Sequence, residues 1–160
     1  MSLLSNYLVI YMAYFAGLVC AIFPLPGILN AFRPDWMILI IFYWVLALPH
    51  RVSIGHACIL GIIFDLLLGS TLGMHALLFS LLAYIVITNY QLFRYFTIVQ
   101  TTLIVGLFSL FSKLTLYLMA SSLQDIILHK SYFWPVFSSM LIWPWFFLML
   151  RFIRLRFKVV

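Results

Sequence analysis

Two ionisable residues, Asp65 and Lys113, lie well inside apolar stretches of the sequence. A charged side chain at the centre of a membrane helix costs about 3 kcal/mol or more, so each needs a partner or a function. If their two helices run in the same direction, Asp65 lies about 6 Å and Lys113 about 10 Å from the same end of the bundle. We therefore predict an intramembrane Asp65–Lys113 ion pair, or a neutral Asp65. Ligand or proton handling, a partner contact and snorkelling of the side chain to the interface are the alternatives.

No residue pattern in the sequence indicates catalysis. The three acids are all aspartates, so paired-carboxylate chemistry is not predicted. The four histidines lack the i, i+4 spacing of a helical metal site, and the G-x-S-x-G, H-E-x-x-H and phosphate-loop motifs are absent. Cys20 and Cys58 lie in apolar runs, where a thiol behaves as a small hydrophobic group. We predict a protein that is not an enzyme and that uses no cofactor or metal.

The composition predicts that lipid is the main solvent of the chain. Hydrophobic residues make up 67% and charged residues 8% of the sequence, far from the usage of soluble domains. In hydrocarbon every backbone polar group must be paired, which leaves helices or a closed barrel. The apolar runs are longer than barrel strands and do not alternate with polar residues, so they favour helices. The sequence predicts one all-α membrane domain of 160 residues.

Six apolar runs are bounded by charged or turn-forming residues, which predicts six transmembrane helices. Their approximate bounds are 3–23, 35–49, 52–68, 72–89, 97–120 and 133–150. The second run is short, because fifteen helical residues reach only about 22 Å of a hydrocarbon core about 30 Å thick. This segment either spans with little tilt, thins the bilayer locally or re-enters without crossing. A re-entrant segment would place the N-terminus outside.

The basic residues predict the orientation, because loops retained in the cytoplasm carry the excess of Lys and Arg. With both termini inside, two of the residues, Arg33 and Lys130, lie outside, and six lie inside. The six are Arg51, Arg94, Arg151, Arg154, Arg156 and Lys158. The formal charge of +6 is therefore interpreted as a topology signal and not as nucleic-acid binding. The basic tail, 151–160, continues the last helix into the interface, where it either anchors to anionic lipid or docks a protein.

Small residues recur every four positions in the first span, at Ala13, Gly17 and Ala21. They share one helix face and let another backbone approach closely. Two interpretations remain open for this small-residue stripe. It packs against a neighbouring span of the same chain, or it docks another membrane protein.

Glycines also step by four around Asp65, at Gly61, Gly69 and Gly73. Glycine tolerates both close helix approach and positive φ, so the pattern predicts a tight hairpin between the third and fourth spans. A small binding recess at the outer end is the alternative. Pro144 lies inside the last span and should kink it, because proline removes one helical hydrogen bond.

Several blocks of sequence resemble one known family. They are Phe32 to Trp36, Tyr43 to Val52, Asp65 with Gly69 to Gly73, Tyr90 to Arg94, and Trp143-Pro144-Trp145 with the basic tail. In this order they are similar to the MreD family of rod shape-determining membrane proteins of bacteria. The resemblance covers most of the chain.

The resemblance implies a non-enzymatic role in cell shape, in the inner-membrane complex that elongates the peptidoglycan wall. The expected partners are an MreC-like protein, RodA with its penicillin-binding transpeptidase, and indirectly the MreB filament. It also implies a fold similar to the substrate-binding subunits of energy-coupling-factor transporters, in which a small-residue stripe on the first helix docks a partner. Candidate partner-binding residues are therefore Ala13, Gly17, Ala21, Arg151, Arg154 and Arg156. A bundle that binds a small ligand or lipid is the alternative, which the scarcity of buried polar residues disfavours.

Overall fold

The computed structural model describes residues 3–24, 26, 32–123 and 133–157. These residues form seven α-helices, which confirms the predicted all-α class. They are α1 (Leu3–Ile22), α2 (Trp36–Ala47), α3 (Ile54–Leu68), α4 (Met74–Thr88), α5 (Tyr90–Tyr95), α6 (Ile98–Leu123) and α7 (Trp134–Arg156). Lys130 and Lys158, which entered the predicted orientation, lie outside the described residues.

Six of these helices coincide with the six apolar runs of the sequence. The predicted first residues 3, 35, 52, 72, 97 and 133 compare with observed first residues 3, 36, 54, 74, 98 and 134. The short helix α5 was not predicted, because its polar residues were interpreted as a break between spans. Helix α7 passes through Pro144 and ends at Arg156, so the first part of the basic tail is helical.

Helix α2 is the centre of the bundle. Every residue from Met37 to Val45 is buried, and α1, α4, α5, α6 and α7 all contact it. A helix that is apolar on all sides is stable only where other helices surround it. Its twelve residues reach about 18 Å. Because protein surrounds it, this short helix does not have to match the thickness of a bilayer with its own length.

The helices around α2 leave apolar faces uncovered. On α6 and α7 these faces are formed by Leu103, Leu107, Phe111, Leu114, Phe137, Leu141, Trp145 and Phe152. Soluble monomers rarely expose apolar patches of this extent. By length and composition, Ile98–Leu118 in α6 and Trp134–Arg156 in α7 can each cross a membrane. The other apolar helical segments are shorter, with between ten and seventeen residues each.

Glycines allow two pairs of helices to pack closely. A Cβ on Gly61 in α3 would lie 2.3 Å from the Cα of Ala76 in α4, so only glycine fits there. The turn that joins α3 to α4 contains Gly69 and Gly73, whose φ angles of 63° and 99° favour glycine. Helices α6 and α7 form the second pair, in which Gly106 lies against the side chain of Met140.

Two ends of the bundle differ in their charged residues. At one end, called the aspartate end, Asp65 lies near the end of α3 and Asp35 directly before α2. At the other, called the arginine end, Arg51, Arg94, Arg151 and Arg154 line a single cavity. The structure thus brings together four of the residues predicted to share one side, and Arg33 lies at the opposite end.

Candidate functional site

Arg33 closes the end of helix α1. Its Nη2 donates hydrogen bonds to the carbonyl oxygens of Cys20 (2.7 Å) and Phe23 (2.8 Å). The last carbonyls of a helix have no partner within the helix, and a basic side chain can satisfy them. Arg33 therefore has a structural role in addition to any effect on orientation.

Asp35 connects the start of α2 to both long helices. Its Oδ1 lies 2.7 Å from Nζ of Lys113 in α6, and the two side chains are 16% and 19% exposed. The hydroxyl of Ser109 donates to its Oδ2. Its backbone N–H donates to Oγ of Ser139 in α7, at 2.9 Å. The carboxylate is thus neutralised by one cation and held by hydrogen bonds.

Asp65 is fully buried and organises the turn between α3 and α4. Its Oδ1 lies 2.6 Å from Nδ1 of His75 and accepts hydrogen bonds from the hydroxyl of Ser70 (3.0 Å) and the N–H of His75 (3.2 Å). Its Oδ2 accepts from the N–H of Gly73, at 2.8 Å. Both carboxylate oxygens are therefore satisfied by residues of the same hairpin.

The predicted Asp65–Lys113 ion pair is wrong, because each residue has another partner. Helix α6 has 26 residues, about 39 Å, whereas α2 reaches about 18 Å. A residue well inside α6 is consequently level with the start of α2, where Asp35 lies. The sequence did contain a signal that His75 is the partner of Asp65. A short turn between antiparallel helices brings residues on either side of it together, which puts His75 near Asp65.

Asp35 and His75, the partner of Asp65, line one cavity of about 220 Å³ at the aspartate end. Its polar lining residues are Arg33, Asp35, His75, Ser112 and Lys113. Apolar residues of α1, α2, α3 and α4 form much of the remaining wall. The structure therefore contains a recess at the end of the bundle where α3 turns into α4. The glycine pattern allowed a small binding recess at this end as the alternative to a tight hairpin.

The small-residue stripe on α1 faces α2 and not a free surface. A Cβ on Gly17 would lie 2.3 Å from Cδ1 of Ile40, and Ala13 and Ala21 pack against the same core. The interpretation of this stripe as a docking face is wrong, because a helix of the same chain already occupies it. The open side of α1 instead carries large apolar residues, among them Leu8, Met12, Phe15 and Val19.

The basic residues at the end of α7 divide between two environments. Arg151 and Arg154 line the cavity at the arginine end, whose volume is about 840 Å³. Arg156 is exposed and lies outside that lining. No acid in the described part of the chain lines this cavity.

The described residues contain no group of three His, Cys, Asp or Glu side chains that could hold a metal ion. Cys20 and Cys58 are both free thiols. Two histidines have other contacts: His75 contacts Asp65, and Nδ1 of His56 lies 2.9 Å from the Ser53 hydroxyl at the start of α3. The contacts of Asp35 and Asp65 thus join neighbouring helices of the bundle.

Comparison with known proteins identifies the family. The family model described as rod shape-determining protein MreD matches residues 1–153. The rod shape-determining protein MreD of Haemophilus influenzae is 40% identical over 136 residues, which cover 85% of this chain and 84% of that protein. No solved structure matches the chain significantly. The chain belongs to the MreD family, as the sequence blocks around Arg33, Asp65 and Arg94 indicated.

Proposed function

We propose that the chain is a non-enzymatic membrane component of the machinery that maintains the rod shape of a bacterial cell. The observation that carries this proposal is the 40% identity to a rod shape-determining protein over 85% of the chain. The polar side chains described above connect helices to one another, as expected of a scaffold. Expression in a rod-shaped bacterium depleted of its own MreD should restore rods. Spherical cells that contain the chain in their membrane would contradict the proposal.

We further propose six membrane spans, formed by α1, α2, α3, α4, α6 and α7, in the bacterial inner membrane with both termini in the cytoplasm. The uncovered apolar faces support contact with lipid, and the four arginines at one end support its placement in the cytoplasm. The short helices α2, α3 and α4 cross as parts of a bundle in which α2 is shielded from lipid. The arginine end would then be cytoplasmic and the aspartate end periplasmic.

Cysteine accessibility tests this topology. In a background with Cys20→Ser and Cys58→Ser, Thr71→Cys places a thiol in the exposed turn at the aspartate end, and Tyr95→Cys places one at the exposed end of α5. A membrane-impermeant maleimide should label Thr71→Cys in intact spheroplasts and Tyr95→Cys only after lysis. Labelling of both from the same side would reject six spans.

Contacts with an MreC-like protein and with the RodA–transpeptidase pair are proposed to use uncovered helix faces. In lipid, helices associate through close packing, so an exposed apolar face is the surface available for it. Such faces lie on α1 around Met12, on α6 around Leu107 and on α7 around Leu141. Gly17 is unsuitable for a docking test, because a larger residue there would strike Ile40 inside the bundle.

Tryptophan substitutions on the three faces identify the docking surface. Met12→Trp, Leu107→Trp and Leu141→Trp change exposed side chains, so each should leave the fold intact. The variant on the true docking face should lose co-purification with the MreC-like protein and lose rod-shape rescue, while the other two serve as its matched controls. Full retention of co-purification and rescue by all three would contradict docking through these faces.

A small-ligand-binding function is the second candidate, and the cavity at the aspartate end favours it. Its volume of about 220 Å³ lies below the 300–1,000 Å³ typical of drug-sized ligands, so it suits a small polar molecule. Ser112→Leu would fill this cavity from α6, where Ser112 is buried. Loss of shape rescue with unchanged thermal stability would support a ligand. Normal rescue by the filled variant would exclude it.

A further inference from the structure

The cavity at the arginine end contains positive charge that nothing in the described chain neutralises. Arg51, Arg94, Arg151 and Arg154 line it together with His50. The two aspartates among the described residues form their contacts at the other end, with Lys113 and His75. Four guanidinium groups that share one cavity repel each other, so their convergence favours an anion between them.

Two buried donors in this cavity lack a hydrogen-bond acceptor. The hydroxyl of Tyr43, a residue only 2% exposed, has no acceptor among the described residues, and the Arg154 side chain within its reach can only donate to it. Nη1 of Arg51 is also buried without an acceptor, while its guanidinium lies 5.8 Å from the centre of the Tyr7 ring. Buried donors are normally satisfied, so both indicate an acceptor that the described residues do not supply.

We propose that this cavity binds the phosphate of an anionic membrane lipid. Arginine matches phosphate oxygens with parallel N–H donors, and several arginines can surround one phosphate. A volume of about 840 Å³ is far larger than an inorganic phosphate ion. The apolar side chains of Phe93, Phe147 and Leu155 in its wall suit the glycerol and first acyl carbons of a lipid. Basic pockets between membrane helices commonly bind anionic headgroups.

The binding site differs from a general topology signal. Arginines that only set orientation need contact with water alone, yet Arg51 has a buried donor and Arg154 is only partly exposed. The proposal rests on the membrane placement proposed above. Its test uses purified protein in detergent, so its failure is distinguishable from failure of the cell-shape function.

Thermal unfolding of the full chain in a neutral detergent measures the binding. A ligand that binds the folded state raises Tm, so phosphatidylglycerol added to the micelles should raise Tm by about 5 °C and phosphatidylcholine should not. Inorganic phosphate and pyrophosphate, at matched ionic strength, separate a free anion from a lipid. An equal rise with pyrophosphate would overturn the lipid as the ligand, and no rise with any of them would overturn the site.

Matched variants separate the cavity from general surface charge. Arg154→Gln should abolish most of the rise caused by phosphatidylglycerol, whereas Arg156→Gln removes the same charge from the same helix outside the cavity and should retain it. Tyr43→Phe, which removes only a hydroxyl, should reduce the rise without loss of the fold. Equal effects of Arg154→Gln and Arg156→Gln would overturn the proposal in favour of nonspecific attraction to the micelle surface.

Discussion

The two ends of this bundle differ in whether their charged side chains are paired within the described chain. At the aspartate end, Asp65 is satisfied by its own hairpin and Asp35 is paired with Lys113, while Arg33 satisfies the last carbonyls of α1. At the arginine end, four guanidinium groups share a cavity with no described acid. At the aspartate end both described carboxylates are therefore paired within the chain, whereas the arginines at the other end face no described acid.

This difference indicates which end stabilises the bundle and which end can bind a ligand. Polar contacts at the aspartate end join α2 to α6 and α7, and hold the turn between α3 and α4. Removal of any of them should reduce the stability of the bundle. At the arginine end, Arg94 and Arg151 are exposed and face no described acid, so their removal should change binding and leave the fold intact.

The largest loss is expected from Asp65→Ala. This change leaves the N–H groups of Gly73 and His75 and the hydroxyl of Ser70 without their acceptor inside the hairpin. Each buried donor left without its acceptor costs about 1–3 kcal/mol, so the three together should cost about 4 kcal/mol. Thermal unfolding in detergent should show a decrease in Tm of about 12 °C. Thr71→Ala, an exposed change in the same turn, is the control and should leave Tm within about 2 °C.

A smaller effect is expected for the pair formed by Asp35 and Lys113. A double-mutant cycle with Asp35→Asn and Lys113→Met should give a coupling energy of about 2 kcal/mol, because the side chains are in contact and mostly buried. The cycle of Asp65→Asn with Lys113→Met should be additive, because Asp65 contacts His75 instead. Strong coupling in the second cycle and none in the first would restore the pair predicted from the sequence.

Arg33→Gln should cost less, about 1 kcal/mol, through its hydrogen bonds to the end of α1. The glutamine side chain is shorter than that of arginine, so it should not reach both carbonyls. The expected decrease in Tm is about 3 °C. Arg156→Gln removes the same charge from an exposed position and should leave Tm unchanged. If the two variants lower Tm equally, net charge and not the helix end explains the result.

The helices could be predicted from the sequence because local rules determine them. Apolar runs end where proline, glycine or charge interrupts them, so the predicted starts fall within two residues of the observed ones. The exception is α5, where Gln91 and Arg94 were taken for a loop. A helix of six residues that is interrupted by Gln91 and Arg94 carries no apolar run long enough to reveal it.

Contacts between helices could not be predicted in the same way. The pairing of Lys113 depends on how far α6 extends past α2. The sequence does not determine how two helices are positioned relative to each other along the axis of the bundle. The stripe at Gly17 shows that a backbone can approach there, but the same pattern fits α2 and a foreign helix equally well. Periodicity identifies a face, whereas its partner depends on the arrangement of the whole bundle.

The smallest effect on stability is expected from the arginine end, and it decides whether the two ends really differ. In detergent without added lipid, Arg94→Gln and Arg151→Gln should each leave Tm unchanged or raise it slightly. Both side chains are exposed, and each belongs to a group of like charges for which the described chain provides no acid. A decrease in Tm as large as that of Arg33→Gln would show that these arginines also stabilise the bundle. The contrast between an end whose aspartates stabilise the bundle and an end whose arginines bind a ligand would then be lost.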